Sequence, residues 1–89
     1  MNIITATAQY NKARELKNAG HDFEAARAYL VAQQFAVKCR SAKRDDLAFA
    51  AHAGAVIAAA RVLETSTDHA ERSEAGRIKA ESNYIFRNQ

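Results

Sequence analysis

Proline is absent from this chain of 89 residues, and glycine occurs only three times, at Gly20, Gly54 and Gly76. The residues that form most tight turns and hairpins are therefore almost missing. Alanine, the strongest helix former, supplies much of the apolar fraction. We predict an all-α fold with one domain, residues 1–89, because a chain of this length has apolar surface for a single core.

Only one cysteine, Cys39, is present, so the chain cannot form an internal disulfide and gives no indication of an oxidising compartment. Its first residues also lack the basic-then-apolar order of a signal peptide. We therefore expect the protein in the cytoplasm. Lys38 and Arg40 flank Cys39, and neighbouring cations lower a thiol pKa. No catalytic histidine signature accompanies it, so we interpret Cys39 as a structural or an ordinary surface residue.

Motifs for catalysis, metal binding and nucleotide binding are also missing. His21, His52 and His69 have no mutual partner at helical spacing, whereas zinc needs three or four converging ligands. There is no glycine-rich phosphate loop. We expect no enzymatic activity, no cofactor and no metal. His52 lies in an apolar segment, where a buried ring nitrogen needs a partner, so we expect a core hydrogen bond there.

The spacing of apolar residues predicts a small bundle of three to four helices. They span about residues 5–19, 23–39, 46–64 and 69–86. Gly20 supplies the left-handed residue that ends the first helix, and Asp22 is predicted to cap the second. Because so few residues separate them, the first two helices should pack as an antiparallel hairpin. Asp45 or Asp46 is predicted to cap the third helix.

Aromatic and small residues recur at helical spacing in this hairpin. They are Tyr10, Ala13, Gly20, Phe23, Ala26 and Leu30. Over about a third of the chain, this pattern resembles the helical hairpin of tetratricopeptide repeats, whose small residues let two antiparallel helices pack. The terminal proline of that motif and a second copy at its period are missing. The resemblance therefore implies a helical hairpin without membership of the family.

The third helix contains a seventeen-residue stretch, Leu47 to Leu63, that is apolar or small except for His52 and Arg61. A helix that is apolar on every side must be buried from water on every side. Such a helix either lies at the centre of the bundle or gives one face to a second copy of the chain. The stretch is shorter than the ~20 strongly apolar residues of a membrane span and is mostly alanine, so we expect no membrane insertion.

Large and small residues alternate along this helix at steps of four and three, as in a heptad seam. The seam consists of Phe49, Ala53, Val56, Ala60 and Leu63. Packing inside one bundle and packing between two copies need the same pattern. We expect a homodimer through the seam, because the fourth helix is too polar to cover it fully.

The fourth helix carries a thin apolar line on a largely charged surface. At its start, Asp68 and Glu71 have the spacing of a capping box. At its end, Tyr84, Ile85 and Phe86 either dock on the bundle or form an exposed apolar end.

Positive charge is concentrated in the first half of the chain. Residues 1–44 carry eight basic and three acidic side chains, a net charge of +5, whereas residues 45–89 carry five basic and seven acidic ones, a net charge of −2. An acidic protein partner is therefore expected. The candidate contact residues are Arg27, Lys38, Arg40, Lys43 and Arg44.

The segment from Lys38 to Arg44 is also a candidate nucleic-acid site, because such side chains neutralise phosphates. No helix-turn-helix signature and no interleaved aromatic residues accompany it to read or stack bases. We therefore interpret the chain as a non-catalytic protein-binding module, in the class of adaptors and of phage- or plasmid-encoded proteins that inhibit or modulate a host protein. A basic nucleic-acid-binding protein is the alternative.

Overall fold

Four helices account for 83% of the computed structural model, which describes residues 2–89. The helices are α1 (Ile3–Asn18), α2 (Asp22–Ala36), α3 (Arg44–Thr65) and α4 (His69–Asn88). No strand is present in the part of the chain that the structure describes. The predicted all-α bundle is confirmed, and each helix begins and ends within three residues of its predicted bounds.

Gly20 ends α1 in the left-handed conformation, with φ of 84°, as predicted. The backbone N–H of His21 donates to the carbonyl of Leu16 at 2.9 Å, and that of Gly20 donates to the carbonyl of Lys17 at 3.0 Å. These two bonds form the Schellman motif that commonly closes a helix. The chain reverses here, so α1 and α2 pack as the predicted antiparallel hairpin.

Two predicted helix caps are wrong. His21 is the N-cap of α2, and Asp22 is the first residue of the helix. Lys43 is the N-cap of α3, and Asp45 and Asp46 lie in its first turn. The acidic side chains still lie close to the positive end of a helix dipole, which stabilises them there without a capping hydrogen bond.

α2 and α3 form the middle of the molecule. Each of them contacts the other three helices, whereas α1 and α4 do not touch each other within residues 2–89. The molecule measures 40 × 27 × 15 Å, so the bundle is thin and flat. Most of the buried apolar side chains are alanines, which allow neighbouring backbones to approach closely.

One such close approach lies at Gly54, where α3 crosses α2. A Cβ atom on Gly54 would lie 2.5 Å from the ring of Tyr29, which is too short for a van der Waals contact. Tyr29 is almost fully buried, and its ring packs edge-on against Tyr10 with centroids 5.7 Å apart. The missing side chain at Gly54 makes room for an aromatic pair that joins α1, α2 and α3.

α2 ends at Ala36, three residues before its predicted end. The N–H groups of Lys38 and Cys39 each donate to a carbonyl three residues back, which tightens the last turn. This turn buries Cys39 beside Ala36 and Ala48, and its thiol donates to the carbonyl of Phe35 at 3.3 Å. Of the two roles predicted for Cys39, the structural one is confirmed.

α4 begins at its predicted cap. The carboxylate of Asp68 accepts a hydrogen bond from the N–H of Glu71 at 3.0 Å. Within the helix, Ala75, Ile78 and Ser82 are buried. α4 therefore docks on the bundle through a narrow strip, as its thin apolar line predicts.

α3 is long and apolar enough, by length and composition alone, to span a membrane, and 33% of that stretch is buried in the fold. Much of this apolar character comes from alanine, whose preference for hydrocarbon is weak. The buried helices of globular proteins share this composition.

We predict that Gly54→Ala destabilises the protein although alanine is the better helix former. Crowding the buried Tyr29 ring costs about 1–3 kcal/mol, and the ~1 kcal/mol that alanine gains over glycine inside a helix offsets only the low end of that range. Gly76 is the matched control, because a Cβ atom there would meet nothing within 4 Å. Gly76→Ala should stabilise by about 1 kcal/mol. Urea denaturation followed by circular dichroism measures both, and equal shifts in the two variants would contradict the close approach.

Candidate binding surface

One face of α3 is open to solvent. The side chains that point at the other helices are fully or almost fully buried: Ala48, Ala51, Ala55, Ala58, Ala59 and Val62. On the opposite side of the helix, Phe49 and Ile57 are 57% and 56% exposed, and smaller residues between them are half-buried. With one side chain from the end of α4, they form an apolar surface. We define this outer face as Phe49, Ala53, Val56, Ile57, Ala60 and Phe86.

The end of α4 completes the outer face. The ring of Phe86 stacks on that of His52, with centroids 4.4 Å apart and planes 3° apart, and its centroid lies 6.0 Å from that of Phe49. Ile85 packs against the core, whereas Tyr84 is 61% exposed. Of the two arrangements predicted for this tail, docking holds for Ile85 and exposure for Tyr84, while Phe86 packs on His52 and still stays 39% exposed.

A buried polar network fixes α4 against α2 and α3. Ser82 and Gln33 are fully buried. The Ser82 hydroxyl donates to Gln33 Oε1 at 2.6 Å, and Gln33 Nε2 donates to the Ser82 carbonyl at 3.1 Å. His52 Nδ1 lies 2.8 Å from the same hydroxyl. Because the single hydrogen of this hydroxyl goes to Gln33, His52 Nδ1 is the donor, and the predicted hydrogen bond of His52 is confirmed.

A serine beside a histidine is also the arrangement of nucleophilic catalysis. There the serine gives its hydrogen to the histidine and is open to substrate. Ser82 is fully buried and gives its hydrogen to Gln33 instead, so the contact serves packing. In residues 2–89, no three His, Cys, Asp or Glu side chains come together as a candidate metal site.

Four of the five residues predicted for self-association lie on the outer face. They are Phe49, Ala53, Val56 and Ala60. Leu63 instead packs against the core. The heptad spacing missed Ile57, which lies one residue outside the seam, and Phe86, which comes from another helix. Ile57 could have been found by its position one turn from both Ala53 and Ala60, but Phe86 depends on how α4 docks.

The predicted basic contact residues do not form one patch. Arg27 lies in the middle of α2, and its guanidinium packs over the Phe23 ring, 5.6 Å from the centroid. Arg44 is half-buried. Its guanidinium donates to the carbonyl of Val37 at 3.0 Å and pairs with Asp45 at 2.7 Å. Arg44 therefore closes the turn between α2 and α3 and is a structural residue.

Three predicted contact residues remain together. Lys38, Arg40 and Lys43 are all exposed in the connection between α2 and α3, and we call them the basic connection. Sequence spacing could not separate them from Arg44, because the bond from Arg44 to a carbonyl seven residues earlier forms only once the turn has folded.

No protein family, curated protein or solved structure matches this chain. The outer face and the basic connection must therefore be interpreted from their own chemistry.

We predict that stability falls as the pH drops below about 6.5, the usual pKa of histidine, because partial burial holds the pKa of His52 lower. The hydrogen bond to Ser82 opposes this effect but is the weaker influence. The unfolded chain then binds more protons than the folded one, so stability rises with pH in this range. Urea midpoints measured between about pH 5 and 7 test this.

His52→Asn is the matched control, because the asparagine amide can still donate to Ser82 but does not titrate. Its urea midpoint should depend less on pH in this range. An unchanged slope would show that another group causes the pH dependence.

Proposed function

We propose that this protein is a non-catalytic protein-binding module and that the outer face is its main contact surface. The observation that carries the proposal is the exposure of three large apolar side chains, Phe49, Ile57 and Phe86, on one face. Contiguous exposed apolar surface is typical of protein interaction sites. Aromatic residues are enriched at the buried centres of such interfaces.

The chain's own helices do not cover this face. α2 lies against the opposite side of α3, and α4 contributes only its last turns, through Phe86. The bundle is 15 Å thin, so no further layer lies over α3 in residues 2–89. Burial of the outer face therefore requires a contact from outside residues 2–89.

The basic connection supplies the charge for this function. Lys38, Arg40 and Lys43 are exposed and belong to the half of the chain with a net charge of +5, from eight basic and three acidic side chains. Such a cluster accelerates association with an acidic protein and contributes less to the final affinity. For a chain of this size, we propose that the consequence of binding is inhibition or modulation of a host protein.

We predict that Ile57→Asp weakens partner binding at least tenfold, because a charge would replace an apolar contact in the interface. Ile4→Asp is the matched control. Ile4 is also a largely exposed isoleucine, at 71%, but it lies on α1, away from the outer face. Wild type and both variants serve as bait in lysate from the source organism, with quantitative mass spectrometry of the retained proteins. Equal capture by all three baits would contradict the proposal.

We predict that the double variant Lys38→Glu/Arg40→Glu slows association with the captured protein about tenfold at low salt and changes dissociation little, as rim charges do. Surface plasmon resonance at several salt concentrations measures both rates.

Nuclease treatment of the lysate distinguishes protein binding from the alternative function, nucleic-acid binding. If capture disappears after nuclease, and affinity for DNA or RNA falls steeply with salt, the protein is a nucleic-acid binder and the proposal is wrong.

A further inference from the structure

We propose that a small pocket between α1 and α3 binds a carboxylate group. Three helices supply its polar lining: Lys17 from α1, Asp22 and Tyr29 from α2, and Arg61 from α3. Ile57 is apolar and belongs both to this pocket and to the outer face. The pocket is nevertheless a separate site, because none of its polar groups belongs to the outer face.

The Tyr29 hydroxyl points to a ligand in this pocket. Tyr29 is only 3% exposed, yet its hydroxyl makes no hydrogen bond to another residue within residues 2–89. Every fully buried polar side-chain atom in that part of the chain has a partner. The hydroxyl is therefore not sealed inside the core but borders the pocket that Tyr29 lines. A largely buried hydroxyl needs a partner, so the pocket offers a donor that the fold itself does not use.

Packing holds this hydroxyl in place before a ligand arrives. The Tyr29 ring lies against Gly54, where a Cβ atom would come within 2.5 Å of it, and packs edge-on against Tyr10. Burial raises the pKa of Tyr29, the neighbouring Tyr10 adds to this rise, and Arg14 opposes it. The hydroxyl therefore keeps its hydrogen at neutral pH and can donate it to an anionic oxygen, which makes a stronger hydrogen bond than a neutral one.

The charges favour an anion with one negative charge. Lys17 and Arg61 lie on the two helices that border the pocket, and Asp22 is the acidic residue in its lining. Arg61 Nε lies 3.4 Å from Asp22 Oδ2, so one positive charge remains, on Lys17. Arg14 and Glu64 are exposed on the same two helices, do not line the pocket and carry opposite charges. Two cations in the lining would repel a metal ion, and residues 2–89 contain no candidate metal cluster.

The size of the pocket selects a single functional group. Its volume is about 40 Å³, whereas one water needs ~10–15 Å³ and ordinary small-molecule sites have ~300–1,000 Å³. A nucleotide or a sugar is therefore too large. A carboxylate is small, carries one negative charge and has two oxygens that accept several hydrogen bonds. It comes either from a small organic acid or from the side chain of an acidic residue of a protein partner, and only the second source rests on the proposed function.

Titration with sodium acetate tests the site, with two-dimensional ¹⁵N–¹H NMR of the full chain at neutral pH and an ionic strength held constant with sodium chloride. The amide signals of Gly54 and Ala58, which line the pocket, should shift and saturate with a Kd of about 1–10 mM, as expected of a ligand with so few atoms.

Tyr29→Phe removes only the hydroxyl and should weaken acetate binding about tenfold, because a hydrogen bond to a charged group is lost. Lys17→Gln should weaken it by a similar factor. Lys12→Gln is the matched control, since Lys12 is an exposed lysine of the same helix that lines a different groove, and it should bind acetate like wild type. Circular dichroism confirms that each variant is folded.

A second titration distinguishes the two sources of the carboxylate. Its probe is a glutamate blocked at both backbone ends, N-acetylglutamic acid α-amide, which leaves the side-chain carboxylate free. If this probe binds at least about fivefold more tightly than acetate, the site is built for the side chain of a partner. If it binds equally or more weakly, the site is built for a small organic acid.

Three outcomes would overturn the proposal. Amide shifts that rise to about 50 mM acetate without saturating would show that the pocket has no affinity for a carboxylate. Equal affinities of wild type and Tyr29→Phe would exclude the hydroxyl as a donor to the ligand. Tighter binding of inorganic phosphate than of acetate would exclude the carboxylate as the preferred group. These titrations contain no partner protein, so their failure leaves the proposed function of the outer face standing.

Discussion

The close packing of α2 against α3 is the constraint on which the rest of this molecule depends. Gly54 has no side chain where the Tyr29 ring lies, and alanines fill most of the buried positions of α3. Small side chains let two backbones approach closely, but each removes little apolar area from water. Because burial stabilises by about 25 cal/mol per Å² of apolar area, each buried alanine contributes little stability. The bundle is therefore thin, and one side of α3 is left without a neighbouring helix.

The outer face follows directly from this thin packing. Inner alanines of α3, such as Ala55 and Ala59, are fully buried against neighbouring helices, while Phe49 and Ile57 on the other side remain more than half exposed. An apolar helix in a larger domain would have a neighbour on every side. In α3, apolar residues form both the core side of the helix and a surface suited to association. Only the burial of each side chain shows to which side it belongs.

The sequence was sufficient for features that depend on neighbouring residues. Apolar periodicity located the four helices, and Gly20 and Asp68 were predicted at the helix ends where they act. Predictions failed for Asp22 and Arg44, whose roles depend on how the folded chain ends or begins a helix. Asp22 lies inside α2 rather than at its cap, and Arg44 bonds to the turn before α3. Neither fact is encoded in residue spacing.

The candidate surface was predicted in part for the same reason. Four of the seam residues lie on the outer face, but the seam alone could not show which side of α3 stays open. Leu63 packs against the core, whereas Phe49, in the same seam, stays 57% exposed. Phe86, far along the sequence, joins the face only through the docking of α4.

The network of Gln33, His52 and Ser82 determines how precisely α4 is positioned. An apolar strip as narrow as that of α4 tolerates sliding, because one aliphatic contact replaces another at little cost. Directional hydrogen bonds do not tolerate sliding, because a shift of α4 by one turn would leave a buried amide and a buried hydroxyl without partners. These hydrogen bonds therefore hold α4 in one position along the bundle. The polar residues inside the bundle thereby specify where Phe86 lies on the bundle surface.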